Sequence, residues 1–200
     1  MSFITSLITA PEEEPVELQD LMYHLRLDIN FATEEKLLQT YITTARKRLE
    51  QITGRAFMRQ TWIYYMEDWP SNDYFKLPYP PLYSVTSVKY RDSDYTENTM
   101  DTDDYRVLTN IEPGRVALDY GATWPSETLI GNSEAIYTTF VCGYGTDVND
   151  VPEPIRVAIM QLVAHYYEMR EPTITGTILT KVPDITYTLI EPYRVSRFGL

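Results

Sequence analysis

Residues 50–70 read EQITGRAFMRQTWIYYMEDWP, and the texture of the chain changes in the middle of them. Up to Thr53 the apolar residues recur at helical spacing. From Gln60 they are Trp, Ile and Tyr in a run bounded by Asp, Trp and Pro, the composition of a strand. Gly54 stands at the junction, where a helix C-cap needs a residue that tolerates the left-handed conformation. A helical part giving way to a β part in one step predicts an α+β chain.

Upstream, Leu37, Leu38, Tyr41, Ile42, Ala45, Leu49 and Ile52 form one face of a helix over 33–53, and Glu34 and Glu35 sit in its first turn, where carboxylates oppose the helix dipole favourably. Leu18, Leu21, Met22 and Leu25 predict a shorter amphipathic helix over 16–28. Downstream, LYSVTSVKY, DYRVLT, RVALDY and EAIYTTFVC are short runs rich in Val, Tyr and Thr, separated by Pro, Gly, Asn and Asp. Their shortness and regular spacing predict an antiparallel sheet or small sandwich rather than a parallel α/β sheet. Helix returns at VPEPIRVAIMQLVAHYYEMR, residues 151–170, whose prolines fit a helix entry and whose apolar residues wrap much of the circumference.

The expected organisation is one domain over 1–200: a helical part at 16–54, a β insertion at 58–145, a last helix at 151–171, and an extended C-terminal arm at 172–200. The arm, TITGTILTKVPDITYTLIEPYRVSRFGL from Thr173 on, has no helical period, and strand addition to another chain is one use for it. A disordered tail or a final strand of the protein's own sheet are the alternatives.

Composition narrows the function. With 29 acidic and 17 basic residues the net charge is −12, which argues against a general nucleic-acid binder, since such proteins neutralise phosphates with clustered Lys and Arg. The 17 tyrosines against six phenylalanines suit strands or surfaces that become interfaces. A single cysteine, Cys142, cannot form an internal disulfide, and a reducing compartment fits best. No run approaches the ~18 apolar residues of a membrane span. The apolar start MSFITSLITA lacks the basic residues of a signal peptide and runs into three glutamates, so a soluble protein made inside the cell is expected.

Catalytic constellations are missing. No GxSxG, Walker loop, HExxH or GxGxxG occurs. His24 and His165 fall on helices among apolar residues, and nothing in the sequence brings Cys142 and His165 together as nucleophile and base. DSDYTENTMDTDD, residues 92–104, lacks the glycine and closing glutamate of a calcium loop and reads as a solvated connection. We read no enzyme, no cofactor and no metal site.

The order of segments is more specific than any one of them. LMYHLRLD, then ARKRLEQITGRAFMRQTWIYYMEDWP, LPYPPLYSVTSVKY, VCGYG with VPEPIRVAIMQLVAHYYEMR, and finally LIEPYR resembles the head-to-tail connector (adaptor, head completion) proteins of tailed bacteriophages over residues 17–194. Similar adaptors occur in prophages and gene-transfer agents. The turn RDSDYTEN, residues 91–98, departs from the glycine-containing turn of relatives.

The resemblance implies a small helical bundle with a β insertion. It implies a structural adaptor of the particle neck, a homo-oligomeric ring of twelve under the portal protein that links the DNA-filled head to the next neck, stopper or tail protein. It would be made in the bacterial host cytoplasm and end in the virion, with DNA passing through without sequence-specific binding and no membrane involved. The family uses its C-terminal segment to reach the portal. Here that segment holds Tyr187, Leu189, Ile190, Tyr193, Arg194, Arg197 and Phe198, side chains of the kind that dominate interfaces. A tail-associated structural or binding module with a different docking partner is the alternative.

Overall fold

The computed structural model describes residues 4–27, 34–169 and 184–195. They fall into two compact units. One is helical, built from the described residues within Glu12–Met58 and Gly145–Arg194; the other is β, built from those within Met1–Pro11 and Arg59–Tyr144, with Val195.

In the helical unit, α1 (Leu18–His24), α2 (Glu35–Thr53), α3 (Glu153–Glu168) and α4 (Asp184–Ile190) each bury one stripe. Leu38, Ile42, Ala45 and Leu49 of α2 are spaced i, i+4, i+7, i+11, so they lie on one face and are all essentially inaccessible. That face meets Ile155, Ala158, Ile159 and Leu162 of α3, and Leu21 of α1 joins the same core. Each fully buried Leu or Ile contributes about 1.5–3 kcal/mol through removal of apolar surface from water. Gly54 ends α2 at φ 72°, and its N–H donates to the Glu50 carbonyl at 2.8 Å. The expected wrapping of α3 takes the form of a buried stripe flanked by half-buried Val157, Met160, Ala164 and Tyr167. Gly145 precedes α3 where a Cβ would fall 1.9 Å from an Asp150 carboxylate oxygen. That carboxylate belongs to a capping box with Asp147 around the 3-10 turn Val148–Asp150.

The β unit is antiparallel. Its larger sheet has the order β1-β2-β8-β4-β5, comprising β1 (Ile4–Thr9), β2 (Gln60–Met66), β8 (Ile136–Cys142), β4 (Leu82–Arg91) and β5 (Glu97–Thr99). Its smaller sheet has the order β3-β7-β6, comprising β3 (Tyr74–Lys76), β7 (Arg115–Leu118) and β6 (Tyr105–Leu108). Central β8 alternates strictly: Ile136, Thr138, Phe140 and Cys142 are buried while Tyr137, Thr139 and Val141 are half-buried. The five strand runs read from sequence all form strands. The short strands β3 and β5 and the N-terminal strand β1 were not foreseen.

One expectation is corrected. An extended arm was expected over 172–200, yet Asp184–Ile190 is helical and a 3-10 turn, Glu191–Tyr193, follows it. Thr186 and Ile190, one helical turn apart, are both fully buried, so α4 is held by packing on α3 rather than by propensity. The helix at 151–171 is therefore not the last. Residues 172–183 and 196–200 of the expected arm lie outside the described residues.

Candidate assembly surfaces

The C-terminal segment is anchored at three points. Ile190 fills the helical core, the Thr186 hydroxyl donates to Gln161 Oε1 at 3.2 Å, and Arg55 Nε donates to the Tyr193 carbonyl. Arg55 follows the α2 C-cap, so the glycine turn read from sequence aims a guanidinium at the end of the chain. The Arg194 N–H closes the turn on the Glu191 carbonyl at 3.1 Å.

The residues expected to dock a partner separate accordingly. Tyr187 and Arg194 are exposed, and Leu189 and Tyr193 are half-buried. Ile190, expected at the docking surface, is inaccessible and serves as the anchor. Arg197 and Phe198 lie outside the described residues. Ile185, which sequence reasoning did not single out, is 58% exposed on the same helix. A shallow groove of about 340 Å³ runs between the end of α2 and this segment, lined by Ile52, Tyr187, Thr188, Ile190, Glu191 and Arg194. An aromatic ring, aliphatic side chains, one guanidinium and one carboxylate suit a protein partner better than a small charged ligand.

At the start of the helical unit Arg46 is 5% exposed and bridges two carboxylates: Nε to Glu14 at 2.7 Å and Nη1 to Glu50 at 2.9 Å. Burial alone would lower the Arg46 pKa, and the hydrogen bonds and charges of Glu14 and Glu50 more than offset it, holding the group above its ordinary value. Glu50 Oε1 also accepts the Phe57 N–H at 2.9 Å, tying the turn after α2 to the same network.

In the β unit, the turn that departs from a glycine pattern is built by Asp92, whose Oδ1 accepts the N–H groups of Asp94 and Thr96 at 3.0 Å each. Tyr95 there adopts φ 63°, a conformation that ordinarily favours glycine. Beside it Glu97 pairs with Lys89 at 2.5 Å and accepts from the Tyr137 hydroxyl. Burial and the Glu97 carboxylate push the Tyr137 pKa up to about 12. The β5 strand is thus short and charged.

The opposite edge, β1, differs in kind. Ile4, Leu7 and Ile8 are 48%, 43% and 55% exposed, and no side chain of the strand is charged. Its sequence signal was the uncharged, β-branched run ITSLIT, too short to separate from any other apolar segment.

Of the residues considered for chemistry, Cys142 is buried, its thiol 3.8 Å from the Gln60 carbonyl. His24 is exposed in the last turn of α1, and His165 is half-buried, its ring 6.4 Å from that of Tyr166. Among the described residues no three His, Cys, Asp or Glu are placed to hold a metal, and no helix is long and apolar enough to cross a membrane.

The whole chain has solved counterparts. A chain of the neck of an empty gene transfer agent particle, computed with C6 symmetry, superposes with a TM-score of 0.78 at 24% identity, over 97% of this chain and 96% of that one. The chain has the fold of gene transfer agent neck chains. A chain of the virion of a native gene transfer agent particle matches to the same extent, and one from the native neck computed with C12 symmetry gives 0.73 at 21% identity. No family model and no curated protein matches the chain. The likeness spans both units in a single counterpart chain, so the combination of helical and β parts is itself a feature of this fold.

Proposed function

We propose that the protein is a structural adaptor of the neck of a phage-like particle, a virion component that forms a ring under the portal and presents a platform to the next neck or tail protein. The observation that carries this reading is the match to neck chains over nearly the full length of both partners. Those necks were computed with C6 and C12 symmetry, which supports repeated copies around an axis. A ring of identical subunits needs a head-to-tail contact that closes because the rotation does.

The docking arm is then rooted by α4 and by the Arg55 bond to the Tyr193 carbonyl, leaving Ile185, Tyr187 and Arg194 outward, with Arg197 and Phe198 following in sequence. Single arms bind weakly, but a ring presents them together, and avidity raises the effective affinity by ~10²-fold or more. The net charge of −12 suits a channel that DNA crosses, because acidic walls repel the duplex within about 8 Å at physiological salt.

The test is to mix purified portal ring with the full chain and with a chain ending at Val195, which keeps α4 and Tyr193, and to weigh the complexes by native mass spectrometry. Full chains are expected to add in multiples approaching twelve, and shortened chains to add poorly. Equal binding would move the arm to another contact, and no binding by either would overturn the portal assignment.

A further inference from the structure

The two ends of the five-stranded sheet are treated differently by the sequence. At one end β5, three residues long, covers only Lys89–Arg91 of β4, and this stretch is guarded by the Lys89–Glu97 pair and the acidic turn at Asp92. The β1 edge is six residues long and has no charge, proline or glycine. Edge strands ordinarily carry such guards because their free N–H and C=O groups recruit other chains. Three of the ten large hydrophobic side chains exposed among the described residues, Ile4, Leu7 and Ile8, fall within this one strand. The irregularity in its pairing comes only after Leu7, so Ile4 to Leu7 run in continuous register with Tyr65 to Trp62 and, among the described residues, leave a regular outer edge.

We propose that β1 is a copy-to-copy contact, in which the edge of this sheet joins a second copy of the same chain through main-chain hydrogen bonds flanked by Ile4, Leu7 and Ile8. This rests on the ring reading above. Charge selects the occupant. Each copy carries −12, so two copies repel over most of their surfaces, whereas residues 1–11 hold no charged side chain, the first being Glu12. β1 is therefore a stretch where equally acidic chains meet without side-chain repulsion. One six-residue edge is smaller than the ~800 Å² per partner of a stable complex, so the contact acts together with others around the ring.

The experiment is sedimentation velocity of the full chain over a concentration series, with hydrogen exchange read at the β1 amides, for the wild type and for Ile4→Lys, Leu7→Lys and Leu7→Thr. Because these side chains are exposed, the melting temperature of each variant at low concentration should match the wild type, which separates lost association from lost folding. The wild type should associate as concentration rises and its β1 amides should slow in step. Either lysine variant should need at least about tenfold more protein to associate, while Leu7→Thr, which keeps a strand-forming uncharged edge, should lie between. Association of the lysine variants at the wild-type concentration would overturn the proposal. So would a wild type that stays monomeric throughout yet adds to the portal ring, a result that leaves the neck reading standing. Protection of β1 only when portal or another protein is added would also overturn it, assigning the edge to a different partner. A wild type that neither self-associates nor binds portal would remove both readings.

Discussion

At the scale of single residues, Arg46 has the largest consequence. Its guanidinium is shared between Glu14 and Glu50, and Glu14 also accepts from Nη2 at 3.3 Å and from the Thr43 hydroxyl at 2.8 Å. Removing the cation leaves two nearly buried carboxylates facing each other, which typically costs about 3–5 kcal/mol. Arg46→Ala is therefore expected to lower the unfolding free energy by ~3 kcal/mol or more, seen as a fall in the urea midpoint, with Arg46→Lys recovering little because an ammonium cannot fork between two partners. Position 46 lies beside the apolar stripe of Ile42, Ala45 and Leu49, so its burial follows from helical period. Its partner Glu14 does not: it is one of three adjacent glutamates, and only the fold selects which of them turns inward.

At the scale of elements, α4 and β1 mark where local sequence misleads. DITYTLI, residues 184–190, is rich in β-branched residues and only seven long, below the length at which a helix holds itself in water. It is helical because Thr186 and Ile190 fall on one side of a turn and α3 offers them a core. Ile190→Ala should consequently cost about 2–5 kcal/mol, the usual range for such a cavity. Hydrogen exchange should show the amides of 185–193 exchanging far faster while those of α2 are little changed. Unchanged exchange there would mean that Arg55 and Thr186 hold the segment without Ile190. β2, β4, β6, β7 and β8 were legible because each carries a continuous apolar or alternating run between turn residues. β3 and β5, three residues each, are strands only by virtue of the neighbours they pair with.

At the scale of the whole molecule, charge governs how copies meet. With −12 per chain, self-association should strengthen as salt rises from ~0.01 to ~0.15 M, because the Debye length falls from ~30 to ~8 Å and screens the mutual repulsion. Sedimentation at fixed protein concentration measures this, and association that weakens with salt would mean that opposite charges build the contact. Composition and hydrophobic period determined the α+β class, the positions of α1, α2 and α3, the five principal strands and the C-cap at Gly54, because each rests on interactions within a few residues of chain. The order of the strands, the addition of β1 to the β unit, the burial of Ile190 and the choice of Glu14 for Arg46 were decided only in the tertiary structure. Each of these joins residues far apart in sequence, and a local pattern carries no record of which distant surface will remove it from water.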